Sequence, residues 1–200
     1  MPDRDPRLAP ITLAGDHARL EPLSLAHVDA LCEVGLDPAL WEFKVNNVRT
    51  RDDMRAYVQE ALDDQAAGTA LPFVIVDVAS GRVAGTTRFG NVLLAHHRVE
   101  IGWTMVALPW QRTALNTECK LLLLRHAFGP LQCQRVELKT DALNVRSRAA
   151  IRRLGATEEG TLRRHLVTWT GRVRDSVYYS ILDDEWPAVE RRLMERLAQG

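Results

Sequence analysis

The sequence predicts one α/β domain, more narrowly α+β, with a mixed, mostly antiparallel central sheet and helices on both faces. Along the chain, strand-like and helical patterns follow the order strand, two helices, three strands, helix, strand, helix, hairpin, helix. The three consecutive strand patterns favour an antiparallel meander. Because 200 residues that are 46% hydrophobic can bury one sizeable core, a single domain over residues 1–200 is favoured over two small ones.

The first elements are a strand and two helices. Residues 1–15 are rich in proline and charge, which indicates a loose lead-in. The alternation in HARLEPL then predicts a short strand. Ser24 is a candidate N-cap for the helix LAHVDALCEVG, and Thr50 with Asp53 forms a capping pattern before RDDMRAYVQEALDDQAAG, which ends at Gly68.

The middle of the chain predicts the sheet. LPFVIVDVAS, RVAGTTRFGNV and HRVEIGWTMV are strand-like, and Ser80 with Gly81 forms a tight turn between the first two. A leucine-rich helix begins near Asn116, and RVELKTDA is the next strand. The helix NVRSRAAIRRL follows and ends at Gly155.

The C-terminal part predicts a hairpin and a final helix. TLRRHLVTWT and RVRDSVYYSIL flank a turn at Thr170 and Gly171, and the charged segment DEWPAVERRLMERLAQ closes the chain as a helix. An exposed strand edge or this last helix could support a homodimer.

Composition excludes several classes of protein. Lysine plus arginine equals aspartate plus glutamate, 26 against 26, so no overall charge attracts nucleic acid or an anionic membrane. Three scattered cysteines do not form a zinc or disulfide framework, which indicates a reducing compartment. The N-terminus lacks the apolar core of a signal peptide, and no apolar run approaches the length that spans a bilayer. We therefore expect a cytoplasmic protein without nucleic-acid or membrane partners.

A polar turn that runs into a helix, WQRTALNTECKLLLL, is a candidate anion site. The first helical N–H groups lack internal partners, and the helix dipole adds partial positive charge. Gln111, Arg112 and Thr113 supply further donors, and Asn116 can cap the helix. The segment between Trp103 and Phe128 contains no glycine, however, so a capped core helix is the alternative interpretation.

A second polar helix start follows the strand RVELKTDA. Asn144 ends the strand, and Ser147 lies three residues further on, in the first helical turn. An N-capped amphipathic helix explains this pattern by itself, with Ala150, Ile151 and Leu154 turned inward.

Taken together, EIGWTM, WQRTALNTE, TDALNVRSRAAIRRLGATEEGTLRRH and RVRDSVYYSIL resemble, in order, the GNAT acyltransferase superfamily. The closest resemblance is to its RimJ/RimL-type branch, the ribosomal-protein-alanine N-acetyltransferases. The resemblance implies a V-shaped opening between EIGWTM and RVELKTDA that binds acetyl-CoA, with no metal. In the family, two positions of this turn usually hold small residues, glycine at the first and glycine or alanine at the second. In this sequence the two positions are Ala114 and Asn116. The implied cofactor-binding residues are Thr104, Met105 and Val106 for the pantetheine arm, Gln111, Arg112, Thr113, Ala114, Leu115, Asn116 and Thr117 for the pyrophosphate, and Asn144 and Ser147.

The implied reaction is transfer of acetyl to a primary amine, either a protein N-terminus or a small amine, by direct attack and without a covalent enzyme intermediate. Glu100 is the candidate base, acting through water, although a carboxylate that is solvated or paired across strands is an equal alternative. The resemblance offers Ser147 and one of Tyr178 and Tyr179 as the acid, and one of these tyrosines must face the core because adjacent strand residues point to opposite sides. His165 is a further candidate. The competing function is a catalytically degenerate CoA-binding regulator or scaffold of the same fold.

Overall fold

The computed structural model describes residues 5–199, which contain an eight-stranded sheet and five α-helices. The strands are β1 (Leu13–Ala14), β2 (Ala18–Pro22), β3 (Leu71–Asp77), β4 (Val83–Leu93), β5 (Arg98–Val106), β6 (Arg135–Asp141), β7 (Thr157–Val167) and β8 (Val173–Leu182). The helices are α1 (Val28–Gly35), α2 (Arg51–Ala66), α3 (Ala114–Phe128), α4 (Val145–Leu154) and α5 (Trp186–Ala198). None of the helices in this range is both long and apolar enough to cross a membrane.

The sheet order is β1-β2-β3-β4-β5-β6-β8-β7. Each neighbouring pair is antiparallel except β5 and β6, which run parallel. The β5–β6 ladder begins at Arg98 and Arg135 and ends after two more pairs, at Glu100 and Glu137. Beyond Glu100 the two strands separate, while β6 stays paired with β8 as far as Asp141. The predicted sheet class and the V-shaped splay are therefore confirmed.

Helices cover both faces of the sheet, as predicted. The larger core lies on one face, where α3, α4 and α5 bury residues such as Leu115, Ile151 and Val189 against the strands. The smaller core lies on the other face, where α1 and α2 pack residues such as Leu31 and Met54 against it. The splay between β5 and β6 thus has α3 on one side and the loop between α1 and α2 on the other.

Two local expectations differ from the structure. Leu8 is buried in the larger core and β1 pairs with β2, so the expected lead-in is partly packed on the domain; residues 1–4 lie outside the described residues. Helix α3 begins at Ala114, and Thr113 is its N-cap, so the cap expected at Asn116 was wrong. The Thr113 hydroxyl is available to the helix because its backbone is extended, which is the usual N-cap conformation.

Candidate active site

The open part of β5 is shaped by a backbone irregularity at its centre. Trp103 has a φ of 50°, and the register between β4 and β5 shifts between Thr86 and Arg88. After this bulge the carbonyl oxygen of Met105 points to β4, where a Cβ added to Gly85 would lie only 1.9 Å from it. Met105 therefore does not offer its carbonyl to the splay, which corrects part of the expected pantetheine contact. The β-bulge is a feature that often re-aims a strand next to an active site.

The two neighbouring carbonyl groups, of Thr104 and Val106, each accept a hydrogen bond from a side chain. Lys44 Nζ donates to Thr104 O at 2.7 Å, and Gln111 Nε2 donates to Val106 O at 2.9 Å. Gln111 thereby ties the polar turn to the end of β5. Sequence reasoning places Gln111 only as a donor toward an anion.

The polar turn enters α3 without steric conflict at Ala114. Ala114 is the first residue of the helix and has no positive φ, whereas Arg112 has a φ of 64°. The left-handed position that favours glycine is thus occupied by Arg112, an exposed residue. Thr113 Oγ1 accepts from Leu115 N at 3.3 Å. The start of the helix still presents the N–H groups that bind anions at helix N-termini.

Asn116 carries an unsatisfied acceptor in the first turn of α3. Its Oδ1 is buried and has no hydrogen-bond partner in the part of the chain that the structure describes. A buried polar atom without a partner costs free energy, so it indicates a group that is satisfied by a ligand or water. An amide N–H of a bound molecule fits this acceptor.

Glu100 lies at the vertex of the splay, on the last residue that β5 pairs with β6. Its side chain is only 2% exposed, and its Oε2 accepts from Lys139 Nζ at 2.9 Å and from Asn91 Nδ2 at 2.8 Å. A Cβ on Gly102 would lie 2.9 Å from the other carboxylate oxygen, so the glycine leaves room for that oxygen. Glu100 is therefore paired across strands, as the alternative interpretation expected. Its second carboxylate oxygen, Oε1, has no polar partner among these contacts.

The tyrosines of β8 separate as predicted. Tyr179 is fully buried in the larger core, whereas Tyr178 is half-buried on the other face of the sheet. Tyr178 lies opposite Lys139 on β6, whose Nζ is 5.8 Å from the ring centroid. The edge of the His165 ring packs against Tyr178 with centroids 5.6 Å apart. The structure thus brings Glu100, Lys139, Tyr178 and His165 to one region.

His165 is held in its neutral form. Burial lowers its pKa from the usual value, and the positive charges of Lys139 and Arg174 lower it further. Its Nδ1 is buried without a hydrogen-bond partner among the described residues. A neutral imidazole is the form that accepts a proton, so His165 has the chemistry of a weak base.

Helix α4 begins beside the other strand of the splay. Asn144 Oδ1 caps it by accepting from Ser147 N at 3.0 Å, and Ser147 is half-buried in the first turn. The Ser147 hydroxyl could donate a proton to a leaving group. The Asn144 side-chain oxygen already accepts the backbone N–H of Ser147 as the helix cap. The predicted N-capped helix is present.

Two lysines near the splay, the buried Lys120 and the half-buried Lys44, were missed in the sequence. Lys120 Nζ donates to Thr104 Oγ1 at 2.7 Å, and Lys44 approaches the carbonyl of the same residue. Burial lowers the pKa of each lysine to about 8, and for Lys44 the nearby charge of Lys120 contributes as well. The sequence does not indicate a buried lysine at position 120, because a single lysine in ECKLLLLRHAF is most simply placed on the solvent-exposed face of the helix.

A cleft of about 530 Å³ opens beside Asn91, the residue that donates to Glu100. It is lined by Asn91, Arg98, Glu137 and Tyr178 together with apolar side chains that include Leu162. Asn91 and Tyr178 connect this cleft to the vertex of the splay. A small amine or the first residues of a peptide would fit its volume. In the part of the chain that is described, no cluster of histidine, cysteine and carboxylate side chains could hold a metal ion.

Comparison with known proteins identifies relatives over most of the chain. The model of the family described as Acetyltransferase (GNAT) domain matches residues 17–157. "Uncharacterized N-acetyltransferase p20" of Bacillus licheniformis is 26% identical over 178 residues, 88% of this chain and 98% of that protein. "Putative ribosomal N-acetyltransferase YdaF" of Bacillus subtilis (strain 168) is 32% identical over 106 residues, 53% of this chain and 57% of that protein.

Solved structures show the same architecture. The "putative acetyltransferase" of T. thermophilus superimposes with a TM-score of 0.86 and 37% identity, over 94% of this chain and 97% of that one. Mycobacterium smegmatis RimJ, solved with CoA-disulfide, gives a TM-score of 0.81 at 24% identity over 94% and 96% of the two chains, which shows the fold alone. The GNAT resemblance is confirmed, and a ribosomal-type N-acetyltransferase is among the relatives. Because the family model covers more than half of the chain, this protein belongs to the GNAT acetyltransferase family.

Proposed function

We propose that this acetyltransferase moves the acetyl group of acetyl-CoA to a primary amine, by direct attack and without a covalent enzyme intermediate. The observation that carries the proposal is the opening between β5 and β6, with the N-terminus of α3 at its mouth and Glu100 at its vertex. A helix N-terminus supports an anionic pyrophosphate, and an unpaired strand supports an amide-containing arm.

The fit to acetyl-CoA is supported by the polar groups of the opening. The amides of residues 111–117 would hold the pyrophosphate, and the unpaired backbone of Thr104 and Val106 would line the pantetheine arm. The buried Asn116 Oδ1 would accept an N–H group of that arm, and Asn144 and Ser147 would line the other side. Ala114 has no positive φ, so the turn does not need glycine at this position, which favours the enzyme over a CoA-binding regulator or scaffold of the same fold.

The chemistry requires that the amine lose a proton and that the thiolate be stabilised. Glu100, directly or through a water molecule, is the proposed base, and the neutral His165 is the alternative. Ser147 and Tyr178 are the proposed acids. The backbone N–H of Val106 would stabilise the oxyanion that develops on the thioester carbonyl, because the backbone of Met105, the other predicted donor, faces β4.

A protein N-terminus is the acceptor that we favour. An α-amino group has a pKa of about 7.7–8.0, against about 10.4 for lysine, so it needs only a weak base. The name of the relative "Putative ribosomal N-acetyltransferase YdaF" also supports a protein substrate. A small amine remains the second acceptor class, and the cytoplasmic location remains a prediction.

The test is incubation of the protein with acetyl-CoA and a panel of peptides and amines. Release of free CoA is followed with a thiol reagent, and the acetylated position is found by mass spectrometry. Peptides with a free N-terminus should be acetylated, and the same peptides with a blocked N-terminus and an internal lysine serve as the matched control. Binding of acetyl-CoA in calorimetry without turnover of any amine would refute the proposed activity and favour the degenerate alternative.

A further inference from the structure

Two ammonium groups converge on one residue of the open strand. Lys44 comes from the loop between α1 and α2 and reaches the carbonyl of Thr104, while Lys120 comes from α3 and reaches its hydroxyl, each at 2.7 Å. The Thr104 hydroxyl is also 2.8 Å from that of Thr87. The two lysines therefore bracket the unpaired part of β5 from opposite faces of the sheet. We call them the lysine pair.

The lysine pair has no carboxylate partner among residues 5–199. Lys120 is only 7% exposed, although lysine is almost never buried unless it is paired. The buried carboxylates of the surrounding strands are already occupied, since Glu100 pairs with Lys139 and Asp141 pairs with Arg172.

The remaining charges near the lysine pair do not neutralise it. On α3 itself, Glu118 turns away and accepts the backbone N–H groups of residues 16–18, and Cys119 lies next to Lys120. Arg174 of β8 and Arg88 of β4 add positive charge around Lys44. Placing the buried Lys120 and the half-buried Lys44 together costs free energy unless a ligand supplies the counter-charge, so the geometry points to an anion at this place.

We propose that the lysine pair receives the sulfur of CoA as the thioester breaks, and that Lys120 Nζ donates the proton to it. This inference rests on the proposed function, because an acetyl transfer is what generates an anion beside the unpaired strand. The acceptor nitrogen forms a bond to the acetyl carbonyl carbon, and the carbon–sulfur bond breaks with its electron pair on sulfur. Sulfur takes a proton from Lys120, and the proton that the amine loses returns to Lys120 through solvent. The products are an acetamide and the CoA thiol.

The acidities of donor and leaving group are matched. A thiol has a pKa of about 8.5, and burial lowers the pKa of Lys120 from 10.5 to about 8. Proton transfer between groups of similar pKa is not uphill, which is the condition for efficient general acid catalysis. The Lys44 ammonium adds positive charge without being required as the donor. Ser147 and Tyr178 are the competing donors, and a pH profile that is unchanged in Lys120→Met would favour them over Lys120.

The test compares wild type with Lys120→Met, which keeps an unbranched side chain one atom shorter and removes the charge. The thiol of bound CoA is titrated by the ultraviolet absorbance of its thiolate. In wild type its pKa should fall below that of free CoA, and in Lys120→Met it should rise by about one unit or more. Affinity for CoA should fall in the variant near pH 8, where part of the thiol is ionised and Lys120 still carries part of its charge. Affinity for desulfo-CoA, which lacks the sulfur, should not change.

The pH profile gives a second readout. In wild type kcat should fall as the pH rises through about 8, because Lys120 then loses the proton that it donates. Lys120→Met should lose that limb and fall in kcat by about 100-fold. In Lys44→Met, kcat should still fall as the pH rises through about 8, and the pKa of the bound thiol should rise less than in Lys120→Met. If Lys120→Met does not fold by circular dichroism, Thr104→Val, which removes the hydroxyl that holds Nζ, replaces it with the same expected direction.

The possible results separate this inference from the function on which it rests. Equal thiol pKa values in wild type and Lys120→Met, with CoA bound to both and with turnover in wild type, would overturn the inference alone. A wild-type protein that binds neither CoA nor desulfo-CoA would overturn the proposed function and the inference together. A shift of the thiol pKa without any change for desulfo-CoA would support both.

Discussion

Glu100 can be tested for two roles at once, because its ion pair and its proposed chemistry respond differently to substitution. Glu100→Gln keeps the shape of the side chain and removes its charge. Breaking a fully buried ion pair costs about 3–5 kcal/mol. Here the Lys139 side chain is 17% exposed and the glutamine oxygen can still accept its hydrogen bond, so the loss is closer to that of one charged hydrogen bond. We expect a loss of about 2 kcal/mol in the free energy of unfolding.

The second variant, Glu100→Gln with Lys139→Met, removes the unpaired ammonium group as well. Its stability should recover by about 1–2 kcal/mol, because contacting residues of one ion pair couple by that amount. Activity should not recover. If Glu100 is the base, kcat/KM falls by about 10²–10⁴-fold in both variants. Urea unfolding and initial rates of CoA release measure the two effects, and Glu195→Gln on the exposed side of α5 is the control.

A destabilised Glu100→Gln protein that keeps kcat/KM within about three-fold of wild type would refute the role as base. The carboxylate would then be a structural partner of Lys139, and His165, whose burial keeps it neutral, would be the next candidate. His165→Gln should in that case lower kcat and remove the acidic limb of the pH profile. Each result therefore assigns the base to one of two named residues.

Three further variants test the backbone and packing arguments. Ala114→Gly should leave CoA affinity in calorimetry within about two-fold and lower stability by up to about 1 kcal/mol, since the φ of Ala114 is already helical; a large gain in affinity would contradict this. Glu118→Ala should lose about 4 kcal/mol in urea unfolding because the carboxylate accepts from the N–H groups of residues 16–18 at 2.6–3.0 Å, whereas Glu195→Ala should change little. Gly155→Ala should lower the melting temperature through a cost of about 1–3 kcal/mol, since its φ is 101°; an unchanged melting temperature would refute the strain.

Most of the fold was predictable because local patterns and the sheet agree. The meander of β3, β4 and β5 follows from consecutive β-branched segments, and the αL cap at Gly155 follows from glycine after an amphipathic helix. The sequence predicted the start of α3 near Asn116, two residues after its true start at Ala114. Thr113 and Asn116 are both suitable N-cap residues, and the extended backbone conformation of Thr113, which makes it the cap, is not visible in the sequence. The resemblance to the GNAT family supplied the splay, which periodicity cannot show.

The candidate site was less predictable because its chemistry depends on contacts between distant segments. Glu100 and Lys139 lie on different strands, and Lys44 and Lys120 lie 76 residues apart in the sequence yet meet at Thr104. Spacing along one helix or strand carries no signal for such a pair. A lysine within a leucine-rich helix can extend into solvent or reach a polar atom inside the sheet, and the two choices have the same local pattern. Only the burial of Lys120 without a carboxylate distinguishes them, and that burial makes the leaving sulfur its most reasonable partner.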